Sequence, residues 1–292
     1  MQSSIAVKPL ILSLVLTTSA FAAQAKALEL QTYNPGATSL FPVSSELIVG
    51  DKEAVLIDAQ FEKKDANALI NMIKKSGKTL TTIYISHGDP DFYFGLQTLA
   101  AAYPQAKIVA TQPTVDHIKA TQEAKLQYWG PLMKDQAPSK IITPEVLQGN
   151  EITLEGQKLI IEDLDSASPD RAYVWIPSLK AVVGGVLVSA NQHIWTADTQ
   201  TKASRENWIK ALDRMQALHP QTVVPGHYLG TPPKGDAAIV FSRDYLKKFE
   251  QVLDTHKTSA GVIDAMQKAY PNLKDGESLN LSAKVNTGEM KW

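Results

Sequence analysis

In the segment Ile83-Tyr84-Ile85-Ser86-His87-Gly88-Asp89-Pro90-Asp91-Phe92-Tyr93-Phe94-Gly95, a histidine and two aspartates alternate directly after an apolar run. Gly88 and Pro90 separate them and require a sharp turn of the backbone. An imidazole nitrogen and two carboxylates on one tight turn can converge on a single point, which is the arrangement that binds a divalent cation. Without a cation, carboxylates held this close repel one another, and some of them would take up protons near neutral pH.

Further candidate ligands lie downstream. Asp165 falls in Asp163-Leu164-Asp165-Ser166-Ala167-Ser168-Pro169-Asp170, after the apolar run Leu159-Ile160-Ile161. His227 closes Thr222-Val223-Val224-Pro225-Gly226-His227. His193, in Asn191-Gln192-His193-Ile194-Trp195, is a further ligand candidate, able to swing toward the same point. Ligands in sheet proteins gather at the carboxyl ends of strands, where these residues fall. His117, His219 and His256 lie on expected helices and read as surface or packing residues. Tyr128, Trp129 and Met133 follow the Pro113 helix and would either line a lid over a cleft or pack in the core, where aromatics at such spacing more often lie.

The elements that must position these groups alternate between strand and helix. Glu46–Gly50 and Ala54–Asp58 flank Asp51-Lys52-Glu53 as a hairpin. Asp65 to Lys75 has helical spacing and stops at Gly77, and Thr81 to Ser86 is the strand that feeds the His87 turn. Asp91 to Tyr103 reads as one helix, Lys107–Ala110 as a strand, and Pro113 to Tyr128 as a helix with proline at its start. Strands resume at Ile152–Leu154, Leu159–Ile161, Ala172–Ile176, Ala181–Val183, Val186–Val188 and Thr222–His227. Helices are expected over Ser204–Leu218, Ala238–Thr255 and Ala260–Ala269, and the stretch to Trp292 has no clear period. Two strand-rich stretches with flanking helices predict two packed sheets covered on both outer faces.

Composition narrows the chemistry. The 292 residues include no cysteine, so thiolate metal sites, thiol nucleophiles and disulfides are excluded. With 29 basic and 30 acidic residues and no basic run, nucleic acid is not an expected partner. Residues 1–25 have the pattern of a cleaved secretory signal peptide: Lys8, the short apolar core Pro9–Leu16, and small residues at Ala20, Ala22, Ala23 and Ala25. No stretch has the roughly 20 apolar residues of a membrane span. The expectation is a periplasmic or secreted protein with a single domain over residues 26–292.

Taken in order, Leu56-Ile57-Asp58, Ser86-His87-Gly88-Asp89-Pro90-Asp91, Gly184-Gly185 and Val223-Val224-Pro225-Gly226-His227 resemble the metallo-β-lactamase fold superfamily over nearly all of the chain after the leader. The resemblance implies an α/β (α+β) fold: a four-layer αββα sandwich with two mixed β-sheets, helices on both outer faces and metals at one edge. It also implies departures from the usual ligands. His87, Asp91 and His227 keep their positions, whereas Asp89 and Asp165 stand where histidines are usual. Phe92 replaces a histidine for a second metal, and Gly185 replaces the bridging aspartate. Asp58 would brace the His87 loop.

The resemblance also implies one divalent ion, zinc with manganese or iron as alternatives, held by His87, Asp89, Asp165 and His227. Asp91 would orient the attacking water and act as general base. The expected activity is hydrolysis of an ester, lactone, amide or phosphoryl bond in a small-molecule substrate. The alternatives are a metal-depleted binding protein on the same scaffold and an iron-dependent oxidoreductase. Neither the substrate nor the oligomeric state can be read from the sequence.

Overall fold

The protein is seen as a computed structural model that describes Gln2 and residues 27–292. The expected leader, apart from Gln2, lies outside the described residues. Among the described residues thirteen strands are found: β1 (Glu29–Tyr33), β2 (Ser45–Val49), β3 (Glu53–Ile57), β4 (Thr79–Ile85), β5 (Lys107–Ala110), β6 (Glu145–Val146), β7 (Glu151–Leu154), β8 (Gln157–Glu162), β9 (Tyr173–Ile176), β10 (Ala181–Val183), β11 (Ser189–Ala190), β12 (Thr222–Val223) and β13 (His227–Tyr228). The helices are α1 (Lys63–Ser76), α2 (Pro90–Tyr93), α3 (Leu96–Ala102), α4 (Gln112–Met133), α5 (Lys202–Ala217), α6 (Ala237–Thr255), α7 (Ser259–Ala269) and α8 (Gly276–Asn286).

One sheet has the order β1-β2-β3-β4-β5-β6 and another the order β12-β10-β9-β8-β7, while β11 and β13 form a separate parallel pair. The β2–β3 hairpin is antiparallel, with Glu46 opposite Ile57. β3, β4 and β5 run parallel, so their carboxyl ends share one edge.

β2 and most of β3 are buried on both faces, as strands covered on two sides must be. Ile48, Val55, Ile57 and Tyr84 face the second sheet and join Leu159, Ile161 and Val174 in one core, which continues to Trp208, Leu246 and Phe249 on α5 and α6. Leu47, Leu56, Ile83 and Ile85 point the other way, onto Leu69 and Ile73 of α1 and Leu99 of α3. Period-two alternation on the strands thus produces two cores and four layers.

Several elements depart from the sequence expectation. The strand expected over Val186–Val188 is a bend, and β11 forms at Ser189–Ala190 instead. The helix expected over Asp91–Tyr103 is two helices broken at Gly95. A Cβ at Gly95 would lie 2.0 Å from the Ala59 carbonyl oxygen, and the Gly95 N–H donates to the Gln60 carbonyl, so a tertiary contact sets the break. The Thr222–His227 strand is likewise interrupted at Pro225-Gly226, where a Cβ on Gly226 would meet the Gly185 carbonyl oxygen at 2.1 Å. The terminal stretch contains α8, capped by Asp275, whose side chain accepts from the Ser278 N–H.

Candidate metal centre

β4 ends at Ile85, and the turn beyond it is held from beneath. Asp58, at the end of β3 and fully buried, accepts from the Ser86 N–H at 2.8 Å and from the Ser86 hydroxyl at 2.6 Å. Ser86 Oγ in turn accepts from the Gly185 N–H at 2.7 Å. This chain of bonds fixes the backbone from which His87 projects.

His87 Nδ1 lies 3.2 Å from the Asp170 carbonyl oxygen, and Nε2 lies 3.2 Å from Asp89 Oδ2. The carbonyl accepts from Nδ1–H, which directs Nε2 toward the carboxylate. Burial pushes the His87 pKa down, but the hydrogen bond to Asp89 and that carboxylate's charge carry it above its ordinary value. Asp198, from the loop between β11 and α5, completes a group in which one atom each of His87, Asp89 and Asp198 lie within 4.8 Å of one another. One imidazole nitrogen and two carboxylate oxygens converging in this way form a group that could hold a divalent ion.

Asp91 and His227 form a second pair on the same cleft, with His227 Nε2 2.7 Å from Asp91 Oδ2. Phe92 stands between the two groups. Its ring is edge-on to His87 at 5.3 Å and to His227 at 5.4 Å. An apolar ring therefore fills the side of the site where a further nitrogen ligand would be needed. At Gly185 φ is +76°, and a Cβ would lie 2.5 Å from the Ala172 carbonyl oxygen. The backbone there leaves no room for a bridging aspartate.

The structure does not bring every sequence candidate to this point. Asp165 lines a separate groove with Asp163, Tyr173 and Arg214, and Arg214 Nη2 donates to Asp163 Oδ2 at 2.8 Å. The segment approaches His87 through the Asp170 carbonyl, and Asp198, not Asp165, is the third member of the converging group. His193 is buried and its Nδ1 lies 3.0 Å from the Tyr245 hydroxyl, while its neighbours Gln192, Ile194 and Trp195 line the cleft. His117, read as a surface or packing residue, packs beside the site. Its ring stacks on His87 at 6.4 Å, and its Nε2 lies 3.9 Å from Asp89 Oδ1. Of the lid candidates, Trp129 lines the cleft, Tyr128 is exposed and Met133 is buried.

The carboxylates do not face one another unrelieved. Asp89 has Lys125 Nζ at 3.7 Å as well as the two imidazoles, and Asp198 has Arg171 Nη2 at 3.1 Å. Burial pushes the Asp89 carboxyl up, but the His87 hydrogen bond and the charges of His87, Lys125 and His117 outweigh it and hold the group below its usual range. The proton uptake expected from carboxylate repulsion is therefore not found at Asp89. Sequence spacing carries no signal for Asp198, Arg171 or Lys125, which come from three separate elements.

A two-sheet sandwich with donors gathered at the end of a parallel strand defines a class of metal-binding fold. The chain belongs to the metallo-β-lactamase superfamily, whose family model matches residues 38–227. Solved structures show the same fold. A metallo-β-lactamase from Pontibacter korlensis superposes with TM-score 0.54 at 19% identity, covering 77% of this chain and 96% of that one. A β-lactamase domain protein from Burkholderia ambifaria gives TM-score 0.61 at 15% identity, over 88% and 84%. Among curated proteins, YobT of Bacillus subtilis, itself uncharacterized, is 32% identical over 74 residues, which is 25% of this chain and 31% of that protein.

Proposed function

We propose that the protein is a metal-dependent hydrolase that works with one divalent ion, held by His87, Asp89 and Asp198. The observation that carries this reading is the convergence of those three donors within 4.8 Å, on the same cleft as the Asp91–His227 pair. When bound, such an ion lowers the pKa of a water toward neutrality and polarises the oxygen of the bond under attack. Asp91 Oδ2, kept in place by His227, receives the water's proton and aims its lone pair. Phe92 excludes water from the region between the histidines. Asp58 and Ser86 hold the His87 turn without touching the ion's position.

The cleft is apolar along much of its length and suits a small-molecule ester, lactone, amide or phosphoryl substrate. Export to the periplasm or medium is part of the same proposal and is supported by the residue pattern of positions 1–25. No helix among the described residues is long and apolar enough to cross a membrane.

One observation favours a second reading. Both carboxylates of the cluster already have a basic neighbour: Lys125 at Asp89 and Arg171 at Asp198. A chain that neutralises its own ligands could serve as a binding protein with no ion. Elemental analysis of the purified protein, with hydrolysis of an ester, lactone and phosphodiester panel with and without added zinc or manganese, separates the two. Stoichiometric metal with turnover that Asp91→Asn abolishes supports the hydrolase. Failure to take up any metal overturns it in favour of the binder.

A further inference from the structure

The large apolar side chains that remain exposed among the described residues are not scattered. They are Leu40, Tyr128, Leu132, Met290 and Trp292, and all lie on the segments that border the cleft. Leu40 adjoins Phe41, and Tyr128 and Leu132 flank Trp129 on α4. Met290 precedes Trp292 at the end of the described chain. Phe41, Trp129 and Trp292 are themselves cleft residues.

Ring contacts join these pieces into two clusters. Phe41 packs on Trp129 at 5.2 Å, and Tyr128 packs on Trp129 at 4.9 Å. Across the mouth, Trp195 meets Trp292 edge-on at 5.1 Å. Lys125, one turn before Trp129, connects the two sides: its Nζ lies 5.7 Å from the centre of the Trp292 ring. The same Nζ is 3.7 Å from Asp89 Oδ1 and lines the cleft. The cleft between these residues is partly open to solvent.

Exposed tryptophan is costly to leave in water, and a contiguous apolar rim around a cleft marks what the cleft accepts. Among the described cleft residues the one Lys or Arg is Lys125, a flexible point charge suited to an anionic group. Its present partner Asp89 is one of the three converging donors, so an ion there would draw on the same carboxylate and leave Lys125 to face the cleft. We propose that the site selects substrates that join a bulky apolar group, aryl or acyl, to an anion. Lys125 receives the anion, and Trp129, Trp195 and Trp292 form the apolar wall. This deepens the hydrolase reading and rests on it for the reaction, though not for the binding.

The test is binding of 2-naphthoate, 2-naphthylmethanol and acetate to the purified full chain, as isolated and after loading with zinc, read by calorimetry and tryptophan fluorescence. We expect 2-naphthoate to bind more tightly than either of the others. Lys125→Met should lower its affinity roughly tenfold and leave 2-naphthylmethanol unchanged. Trp292→Ala should weaken both aromatic probes about fivefold with an unchanged Tm, since Trp292 is a half-exposed residue. Equal binding of acetate and 2-naphthoate, or a naphthoate preference that survives Lys125→Met, overturns the proposal. It is overturned equally if Trp292→Ala leaves probe binding intact but changes the oligomeric state or removes association with lipid vesicles, because the rim would then belong to another partner. Binding is read without turnover, so absence of hydrolysis refutes the catalytic reading alone.

Discussion

Arg171 holds Asp198 at the site: its Nη2 lies 3.1 Å from Asp198 Oδ2, and its guanidinium carbon sits 5.1 Å from the centre of the Trp208 ring. The arginine is buried, so its stacking on Trp208 and the carboxylate's position are fixed together. Asp198 is thereby committed to the cluster, while Asp165 lines the groove beside Arg214. Removal of a ligand and removal of a remote loop acid should differ sharply. Asp198→Ala is expected to weaken zinc binding by about 100-fold or more, and Asp165→Ala to change it by less than about twofold. Competition titration against a chromogenic chelator measures both. Equal losses in the two variants would return the third ligand to Asp165.

Whether a residue was legible depended on how local its geometry is. His87, Asp89 and Asp91 sit on one turn, so spacing alone gathers them, and Pro225-Gly226 marks His227 as the end of a tight connection. Asp198 arrives on a loop without period, oriented by an arginine from a short 3₁₀ turn at Pro169–Arg171. Nothing in one-dimensional spacing announces such a pairing. The break at Gly95 was invisible for a related reason. A glycine within a helical stripe costs only about 1 kcal/mol, and the contact that forbids a side chain there comes from Ala59, far away in sequence. α8 was missed because Ser278, Ser282 and Ala283 share its buried face with Leu279 and Val285, which dilutes the apolar stripe.

Metal uptake should depend on pH through His87. Its Nδ1–H is engaged by the Asp170 carbonyl, so protonation occurs at Nε2, the atom that faces Asp89. The Asp89 hydrogen bond and charge overcome burial and raise this pKa above 6.5. Proton and ion therefore compete for one nitrogen, over a higher pH range than at an ordinary imidazole. Apparent zinc affinity is expected to fall as pH drops from 8 to 6, approaching about tenfold per unit once His87 is protonated. A chelator competition series across that range checks it. An affinity flat between pH 8 and 6 would show that Nε2 is not a ligand.

Restoring an aspartate at position 185 should not create a second ion site. The φ of +76° disfavours any side chain, and the new Cβ would lie 2.5 Å from the Ala172 carbonyl oxygen. The Gly185 N–H is also needed by Ser86 Oγ, which Asp58 braces. Gly185→Asp is expected to cost about 2–4 kcal/mol in urea unfolding and to leave the zinc stoichiometry unraised. A stable variant that binds a second equivalent would show that the loop can relax where close backbone contacts now hold it.

Beneath the site, Glu46 and Asp58 are buried acids on neighbouring strands, and among the described residues no side chain supplies a positive charge to Glu46. No hydrogen bond of ordinary geometry reaches its carboxyl oxygens. Burial, with the Asp58 charge added, pushes the Glu46 pKa well above its ordinary value, and the nearby Ser44 hydroxyl and Gly184 N–H offset only part of this. Burial likewise takes Asp58 up to about 7, although the Ser86 hydrogen bonds pull it down. Proton binding sets the sign. Between the unfolded carboxyl pKa of about 4 and the raised folded values, the native state holds more protons than the unfolded chain. Stability from these acids therefore falls as pH rises from about 4 through 7 and beyond. Glu46→Gln fixes one of them in an uncharged form of similar shape. The variant should lose part of the wild-type decline and be the more stable protein at pH 8, by about 1 kcal/mol or more. Comparing each protein's urea unfolding at pH 5 and pH 8 cancels the contribution of His87, whose raised pKa gives a decline of the same sign, because both proteins share it. An unchanged pH slope in the variant would mean that Glu46 is already ionised in the fold, with a counter-charge drawn to it from the site above.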